Sequence, residues 1–337
     1  MSSNEHDHFS SQAKICPACD NSESSILFNS TQKDYSYEGF VYLQCNGCKS
    51  IFLSAPNQQV NCQEDATRFH QEHWREAGTF QFQPESTFDE RIGKIRGVAE
   101  QQRKVFEELI PNTAYKVLDF GAGEAHLVTA FLEMGIDAYG IEPDSAALEE
   151  ARRRLSDRNR NHLIVGSAET LYSKAILDDL KKSGIPANGF DIIIIRDVLE
   201  HMYDPKRFLT ALADTLLKPT GFMWISVPSS QDKQIELLGN CAWSVMAPFH
   251  RTLFSYNGLE QMLSAASFKV VKSYPASGRW GWTRGLAWKA GFASEHAKLR
   301  LESPEFKKFD FLVDEMFNRL TEGASLVDLN LIAKRHS

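Results

Sequence analysis

The hydrophobic positions of the chain change their spacing near residue 113. Between residues 88 and 110, apolar side chains such as Ile92 and Ile95 recur every three or four positions, which predicts one amphipathic helix that ends at Pro111. After it, short apolar runs alternate with helical patterns over residues 113–275. This alternation is typical of a doubly wound α/β sheet whose strands are mostly parallel.

The strands predicted in this region are short, and helices are predicted between them. The β-branched run after Phe190 indicates a strand that is buried on both faces, as in a parallel sheet. Asp204 and Pro205 are typical of a helix start, and Asp144 is expected to cap another helix. The predicted strands are Lys116–Phe120, Ala138–Ile141, Leu163–Val165, Phe190–Ile195 and Phe222–Val227.

Four cysteines form two pairs ahead of this region. Cys16 and Cys19 enclose two residues, and Cys45 and Cys48 repeat that spacing 25 residues later. Such a gap lets both thiolates of a turn face one ion, and two turns complete a tetrahedral sulfur site for Zn²⁺. The spacing predicts a zinc ribbon at residues 12–60 with a closed, structural metal site. Four unrelated structural thiols are the alternative.

The loop after the first strand of the α/β region carries the clearest ligand signal. Asp119 precedes Gly121 and Gly123, and glycine permits both a tight turn and a close approach of a ligand to the backbone. Glu142 ends the second strand, where a carboxylate can accept the hydroxyl groups of a ribose. This spacing fits either a dinucleotide such as NAD or S-adenosylmethionine.

Three features favour S-adenosylmethionine over a dinucleotide. Asp119 places negative charge near the cationic amino group and the sulfonium of that donor. His126 stands where a dinucleotide fingerprint has its third glycine, and Glu124 would oppose an anionic pyrophosphate at the helix start. The loop therefore indicates a positively charged donor.

These segments resemble the class I S-adenosylmethionine-dependent methyltransferases. The resemblance rests on VLDFGAGEAHL at 117–127, YGIEPD at 139–144 and GFDIIIIRDVLEHMYDP at 189–205. It implies a Rossmann-like fold with a mostly parallel, seven-stranded type of sheet. It also implies that the donor is bound by Asp119, Gly121, Gly123, Glu142, Ser167, Ala168 and Asp197.

A second resemblance joins the two halves of the chain. A four-cysteine module ahead of such a domain is similar to the zinc-containing methyltransferases that modify sugars and secondary metabolites. The segments Val41–Leu53 and HRTLFS at 250–255 carry this similarity, which implies a small-molecule acceptor such as a sugar nucleotide.

A helical or lid extension is expected at residues 276–337. Its tryptophan and arginine residues at 279–289 could stack on a base and bind phosphate, or could pack as a lid. A final helix at 304–320 is expected to dock on the domain or to form a homodimer.

Two histidines are candidates for a general base. His201 follows the fourth strand of the α/β region and His250 follows the fifth, so both are expected at the edge of the sheet where ligands bind. A structural role is the alternative for each. Asp197, Glu200 and His201 could instead hold Mg²⁺ for a catechol-like acceptor. The favoured interpretation is that Asp197 contacts the donor and Glu200 caps a helix.

Charge and hydropathy reduce the number of functional classes that fit the sequence. The 37 Lys and Arg residues against 44 Asp and Glu residues leave a net charge of −7, which argues against a sequence-independent grip on nucleic acid. An RNA methyltransferase and a non-catalytic adaptor remain alternatives. No apolar run approaches the roughly 18 residues that span a bilayer, and the N-terminus lacks a secretory signal. A cytoplasmic location is expected. Residues 61–112 are expected to form a linker and the helix that leads into the α/β region.

Overall fold

The computed structural model describes residues 15–31, 38–54, 88–111, 114–168, 189–276, 282–290 and 328–336, with isolated positions between 171 and 319. The strands are β1 (Ser24–Asn29), β2 (Val41–Cys45), β3 (Ile51–Leu53), β4 (Lys116–Phe120), β5 (Asp137–Glu142), β6 (Leu163–Val165), β7 (Phe190–Arg196), β8 (Leu217–Pro228), β9 (Thr252–Leu253), β10 (Phe268–Ala276) and β11 (Asp328–Arg335). The helices with described bounds are α1 (Phe88–Leu109), α2 (His126–Glu133), α3 (Glu149–Arg154), α4 (Asp157–Arg160), α5 (Pro205–Thr215), α6 (Lys233–Leu238), α7 (Tyr256–Ala265) and α8 (Trp282–Lys289).

Seven strands form the main sheet in the order β10-β11-β8-β7-β4-β5-β6. The pairs β7–β8, β4–β7, β4–β5 and β5–β6 are parallel, and only β11 runs against its neighbours in this sheet. This is the predicted Rossmann-like methyltransferase fold. Phe120 pairs with Ile195 and Ile141, so the loops that follow β4, β5 and β7 leave the sheet side by side. These carboxyl ends are where doubly wound sheets bind ligands.

The last strand is not predicted by the sequence. A helical or lid extension is expected for residues 276–337, and this is wrong for residues 328–335, which form β11 between β8 and β10. Leu329, Leu331 and Ala333 are buried there. The partners of β11 lie far away in the sequence, so the pairing that makes this segment a strand leaves little local trace.

The helix boundaries agree with the sequence in two cases and differ in a third. Helix α1 spans the predicted range and buries Ile92 and Phe106. Asp204 caps α5, because its side chain accepts a hydrogen bond of 2.9 Å from the backbone N–H of Arg207. The cap expected at Asp144 is wrong. Its carboxylate accepts from the N–H of Ala146, which closes a local turn, and α3 begins only at Glu149.

A smaller sheet has the strand order β1-β2-β3-β9. Three of its strands belong to the segment predicted at residues 12–60, but β9 comes from residues 252–253 of the α/β region. Leu43 and Phe52 lie in the same buried cluster as Phe254. The cysteine-bearing segment therefore shares both a sheet and a core with the larger domain.

Some predictions concern residues outside the described ranges. These are residues 55–87 and 277–281, and most of the helix expected at 304–320. Trp282 and Trp288 are described, and both are buried in a cluster with Leu238 and Leu253. Their burial favours packing over stacking on a ligand. Within the described residues, no helix combines the length and apolar composition needed to cross a membrane.

Candidate functional site

The loop between β4 and α2 has three residues in left-handed conformations. Gly121 has φ of +82°, Gly123 has φ of +54°, and Ala125 has φ of +56°. A Cβ atom on Gly121 would lie 2.3 Å from Cγ2 of Val198, so only glycine fits against the loop that follows β7. A Cβ atom on Gly123 would meet nothing within 4 Å. At that point the loop borders open space that a ligand can enter.

Glu142 holds this loop in place. Its Oε2 accepts a hydrogen bond of 2.8 Å from the N–H of Gly123, and its Oε1 accepts one of 3.0 Å from the N–H of Asp144. The side chain is buried. The carboxylate predicted at the ribose thus also fixes the backbone of the glycine loop.

Asp119 is buried beneath the loop at the end of β4. Burial raises the pKa of Asp119 to about 6, and the charges of Glu142 and Asp197 add to the rise while Arg196 opposes it. A bound cation would favour the ionised form. The acids Asp119 and Glu142 beside the loop suit the cationic S-adenosylmethionine and oppose an anionic pyrophosphate.

The turn after β6 completes this side of the site. Ser167 and Ala168 are both buried there. The N–H of Gly166 donates a hydrogen bond of 3.1 Å to the backbone carbonyl of Glu142. The two predicted adenine-side residues are therefore brought next to the predicted ribose acid.

The loop after β7 carries a different pair of acids. Asp197 is exposed and has φ of +54°, which for a residue other than glycine costs about 1–2 kcal/mol. Glu200 is fully buried, and neither of its carboxylate oxygens has a hydrogen-bond partner among the described residues. Burial raises the pKa of Glu200 well above its ordinary value, with Asp197 and Asp328 adding to the rise.

His201 and His250 lie beside Glu200. The Nδ1 atom of His201 is 3.0 Å from the carbonyl of Phe249, and that of His250 is 2.7 Å from the carbonyl of Ser244. Because a carbonyl can only accept, both Nδ1 atoms carry the proton, and the Nε2 atoms of the neutral rings are the basic ones.

Together these three side chains can accept a proton or bind a cation. One potential ligand atom from each of Glu200, His201 and His250 lies within 4.8 Å of those of the other two.

The four cysteines converge on one point. The sulfur atoms of Cys16 and Cys48 are 3.6 Å apart, and those of Cys19 and Cys45 are 3.5 Å apart. These distances are far longer than a disulfide bond and close to the ~3.8 Å edge of a tetrahedron with Zn–S bonds of about 2.3 Å. The donor set therefore fits a structural Zn²⁺ ion.

One residue near the site carries no signal in the sequence. Asp328 begins β11, and burial raises its pKa to about 7, with Asp197 and Asp232 adding to the rise. Its place beside the loop after β7 depends on the insertion of β11 into the sheet. Because the sequence does not predict β11, it also does not indicate that Asp328 lies near this loop.

Comparison with known proteins shows which family the larger domain matches. A family model described as a methyltransferase domain matches residues 92–273, more than half of the chain. The ubiquinone biosynthesis O-methyltransferase of Rhodopseudomonas palustris (strain TIE-1) is 27% identical over 122 residues, 36% of this chain and 43% of that protein. The protein of the same name from Histophilus somni (strain 2336) is 30% identical over 116 residues, 34% of this chain and 45% of that protein. Both matches span less than half of the relative.

Solved structures of methyltransferases match this chain at low sequence identity. A 1,6-didemethyltoxoflavin-N1-methyltransferase of Burkholderia thailandensis, with 1,6-didemethyltoxoflavin and S-adenosylhomocysteine bound, is 14% identical with a TM-score of 0.48, covering 91% of this chain and 100% of that one. A SAM-dependent methyltransferase from Archaeoglobus fulgidus is 16% identical with a TM-score of 0.44, covering 72% and 94%. The family match over residues 92–273 agrees with the strand order of the sheet, and the chain belongs to the methyltransferase-domain family.

Proposed function

We propose that this protein transfers a methyl group from S-adenosylmethionine to a small-molecule acceptor, of the sugar-nucleotide or secondary-metabolite type. The observation that carries the proposal is the carboxyl edge of the sheet, where the loop held by Glu142 and the loop bearing His201 leave adjacent strands. S-adenosylmethionine supplies a methyl group on a sulfonium, which is already a good leaving group. The protein therefore needs mainly to align the acceptor and exclude water.

Donor binding is assigned to the first loop and its neighbours. Asp119 attracts the cationic end of the donor, Gly123 lets the donor approach the backbone, and Gly121 lets the same loop pack against Val198 beside it. Glu142 accepts from the ribose hydroxyls and fixes the loop. Ser167 and Ala168 lie beside the adenine, and Asp197 faces the donor from the loop after β7. This assignment is supported by the positive φ angles of the glycines and the burial of both acids beside them.

Proton removal from the acceptor is assigned to the histidine pair. An acceptor hydroxyl or carbon acid gains roughly 10²–10⁴-fold from a general base. His250 is the stronger candidate, because its ring is buried and its Nδ1–H is held at 2.7 Å by the carbonyl of Ser244. That hydrogen bond leaves Nε2 as the basic atom. His201 is half-buried, and its ring centroid lies 5.0 Å from that of His250.

A second candidate is metal-assisted transfer to a catechol-like hydroxyl. Its specific observation is the grouping of donor atoms from Glu200, His201 and His250 within 4.8 Å. The matched relatives are named as O-methyltransferases of ubiquinone biosynthesis. In this alternative Glu200 and the histidines, with Asp197 nearby, would hold Mg²⁺ and orient the acceptor oxygens. Activity that survives EDTA would exclude it.

The proposal assigns the four cysteines to one structural Zn²⁺. The role of the ion is to tie the two cysteine turns together. A cytoplasmic location and a homodimer remain predictions from the sequence.

Two measurements test the proposed function. Calorimetry with S-adenosylmethionine, S-adenosylhomocysteine and NAD should detect binding of the first two only, and absence of heat with both would overturn the donor assignment. Formation of S-adenosylhomocysteine is then measured with a sugar-nucleotide pool, a catechol pool and an RNA pool. Turnover with the sugar-nucleotide pool alone supports the proposal. Turnover with the catechol pool alone supports the metal-assisted alternative, and turnover with RNA alone contradicts both.

A further inference from the structure

The candidate base, His250, lies in a segment of three consecutive residues that contacts both sheets. Phe249, His250 and Arg251 form the His250 segment. On the side of the main sheet, His201 donates to the carbonyl of Phe249 at 3.0 Å, and the N–H of Arg251 donates to the carbonyl of Glu200 at 2.8 Å. These contacts tie the His250 segment to the loop after β7.

The opposite side of the His250 segment is held by the cysteine-bearing segment. The hydroxyl of Tyr42 donates to the carbonyl of His250 at 3.0 Å, and the N–H of Leu53 donates to the carbonyl of Arg251 at 2.9 Å. Pairing of Ile51 with Leu253 continues the same sheet. The backbone of the candidate base is thus clamped between two parts of the chain that are more than 140 residues apart in numbering.

Tyr42 is placed to hold this backbone rather than only to fill the core. It lies in β2 opposite Leu53, its ring packs 5.6 Å from that of Phe28, and the side chain is fully buried. Burial raises the pKa of Tyr42 above its ordinary value, so the hydroxyl stays protonated and can donate. A phenylalanine would fill the same space without a buried hydroxyl that needs a partner.

The metal-binding turn is joined to the chain that follows the His250 segment. The N–H of Ser255 donates to Oγ of Ser50 at 3.0 Å, and Oγ of Ser50 lies 3.3 Å from the sulfur of Cys48. A Cβ atom on Gly258 would lie only 3.0 Å from that sulfur. The turn bearing Cys48 therefore sits directly on the start of α7.

We propose that Tyr42 is a positioning residue for His250, and that the four-cysteine segment as a whole holds the His250 segment in register with the loop bearing His201. The inference rests on the proposed function, in which His250 accepts the proton. The hydroxyl of Tyr42 fixes the carbonyl of His250, and the hydrogen bond from the N–H of Leu53 fixes the carbonyl of Arg251. The imidazole then keeps one orientation beside the acceptor.

Hydrogen exchange on the full-length protein tests the inference without an acceptor. In Tyr42→Phe, the backbone amides of residues 251–254 are expected to exchange about fivefold faster, the factor that corresponds to one buried hydrogen bond. The NMR resonance of the Cε1 carbon of His250, assigned with His250→Gln, is expected to shift while that of His162 does not. Tyr139→Phe, which alters a buried tyrosine in β5, is the matched control and should leave the exchange at residues 251–254 and the resonance of His250 unchanged.

Two results would overturn the inference. One is that exchange at residues 251–254 and the resonance of His250 are the same in Tyr42→Phe as in the unmodified protein. The other is that Tyr139→Phe changes them equally, which would indicate general loosening. Ser50→Ala removes the acceptor for the N–H of Ser255, and faster exchange is expected at the same amides. If Tyr42→Phe is poorly folded, this variant still tests the hold of the four-cysteine segment on the His250 segment, and unchanged exchange would overturn that part of the inference.

Failure of the proposed function gives a different result. Full turnover in His250→Gln would remove the proposed base, whereas the exchange measurement would still report whether Tyr42 holds the His250 segment. Reduced turnover in His250→Gln, together with unchanged exchange in Tyr42→Phe, would remove the positioning inference alone.

Discussion

His201 and His250 meet with their ring centroids 5.0 Å apart and their planes tilted by 63°. One ring follows β7 and the other precedes β9, and each donates its Nδ1–H to a backbone carbonyl. Both rings therefore have Nε2 as the basic atom. Two imidazoles with fixed tautomers thus present basic nitrogens in one place, which suits removal of a proton from an acceptor.

Replacing His250 with glutamine is expected to slow methyl transfer by roughly 10²–10⁴-fold, the usual contribution of a general base. Affinity for S-adenosylhomocysteine should stay the same, because the glycine loop is not altered. Turnover is measured as S-adenosylhomocysteine formed. His162→Gln is the control, since that ring stacks on Tyr139 in the main sheet. Full turnover in His250→Gln would exclude the role.

Replacing Glu142 with glutamine is expected to weaken binding of S-adenosylmethionine by at least about tenfold, or ~1.4 kcal/mol. The carboxylate accepts from two backbone N–H groups, and an amide can accept with only one end. Calorimetry measures the effect. Glu133→Gln, which alters an exposed pair with Arg96, should bind normally. Equal affinities in the two variants would contradict the role of Glu142.

Binding of S-adenosylmethionine is expected to weaken as the pH falls below about 6. The pKa of Asp119 in the folded protein is raised to about 6, chiefly by burial, so its carboxylate becomes protonated there and no longer attracts the cationic donor. Affinity should fall by up to about tenfold per pH unit below this value. In Asp119→Asn the affinity should be low and nearly independent of pH between 5 and 7. An unmodified protein with constant affinity over that range would contradict the assignment.

Replacing Asp328 with asparagine is expected to stabilise the protein at pH 8. The pKa of Asp328 is raised from 3.8 to about 7 in the folded state, so the folded protein binds the proton more tightly than the unfolded chain. Stability from this group is present below pH 4 and is lost as the pH rises through 7.

The asparagine variant avoids that loss. It should gain on the order of 1 kcal/mol at pH 8, after allowance for solvent screening, and almost nothing at pH 4. Denaturant unfolding at the two pH values measures the difference. Asp214→Asn, which alters an exposed carboxylate paired with Arg335, should show no gain at pH 8. A variant less stable than the unmodified protein at pH 8 would refute the expectation.

The purified protein is expected to contain one zinc ion per chain. Cys48→Ser should lose the metal and lower the melting temperature, because Zn²⁺ ties the two cysteine turns together. Elemental analysis and thermal unfolding measure both effects. Cys241→Ser alters a buried cysteine outside the cluster and should retain the metal. Zinc retained in Cys48→Ser would show that the cluster is not the binding site.

Local patterns account for most of the donor site and for the cysteine cluster. Gly121 and Gly123 indicate a tight turn because few other residues tolerate positive φ. The β-branched run after Phe190 indicates a buried strand. The cysteine spacing works in the same way, since each pair closes within one turn. In all three cases the signal lies within a few neighbouring residues, so their types and spacing indicate the local geometry.

Contacts between distant segments leave no such trace. The insertion of Asp328–Arg335 between two strands, the pairing of Thr252–Leu253 with the cysteine-bearing segment, and the hydrogen bond from Tyr42 to the carbonyl of His250 all appear only in the folded chain. The histidine candidates are visible as residue types, but their 5.0 Å approach is not. Burial and backbone pairing across hundreds of residues depend on packing of the whole domain, and no local periodicity encodes them.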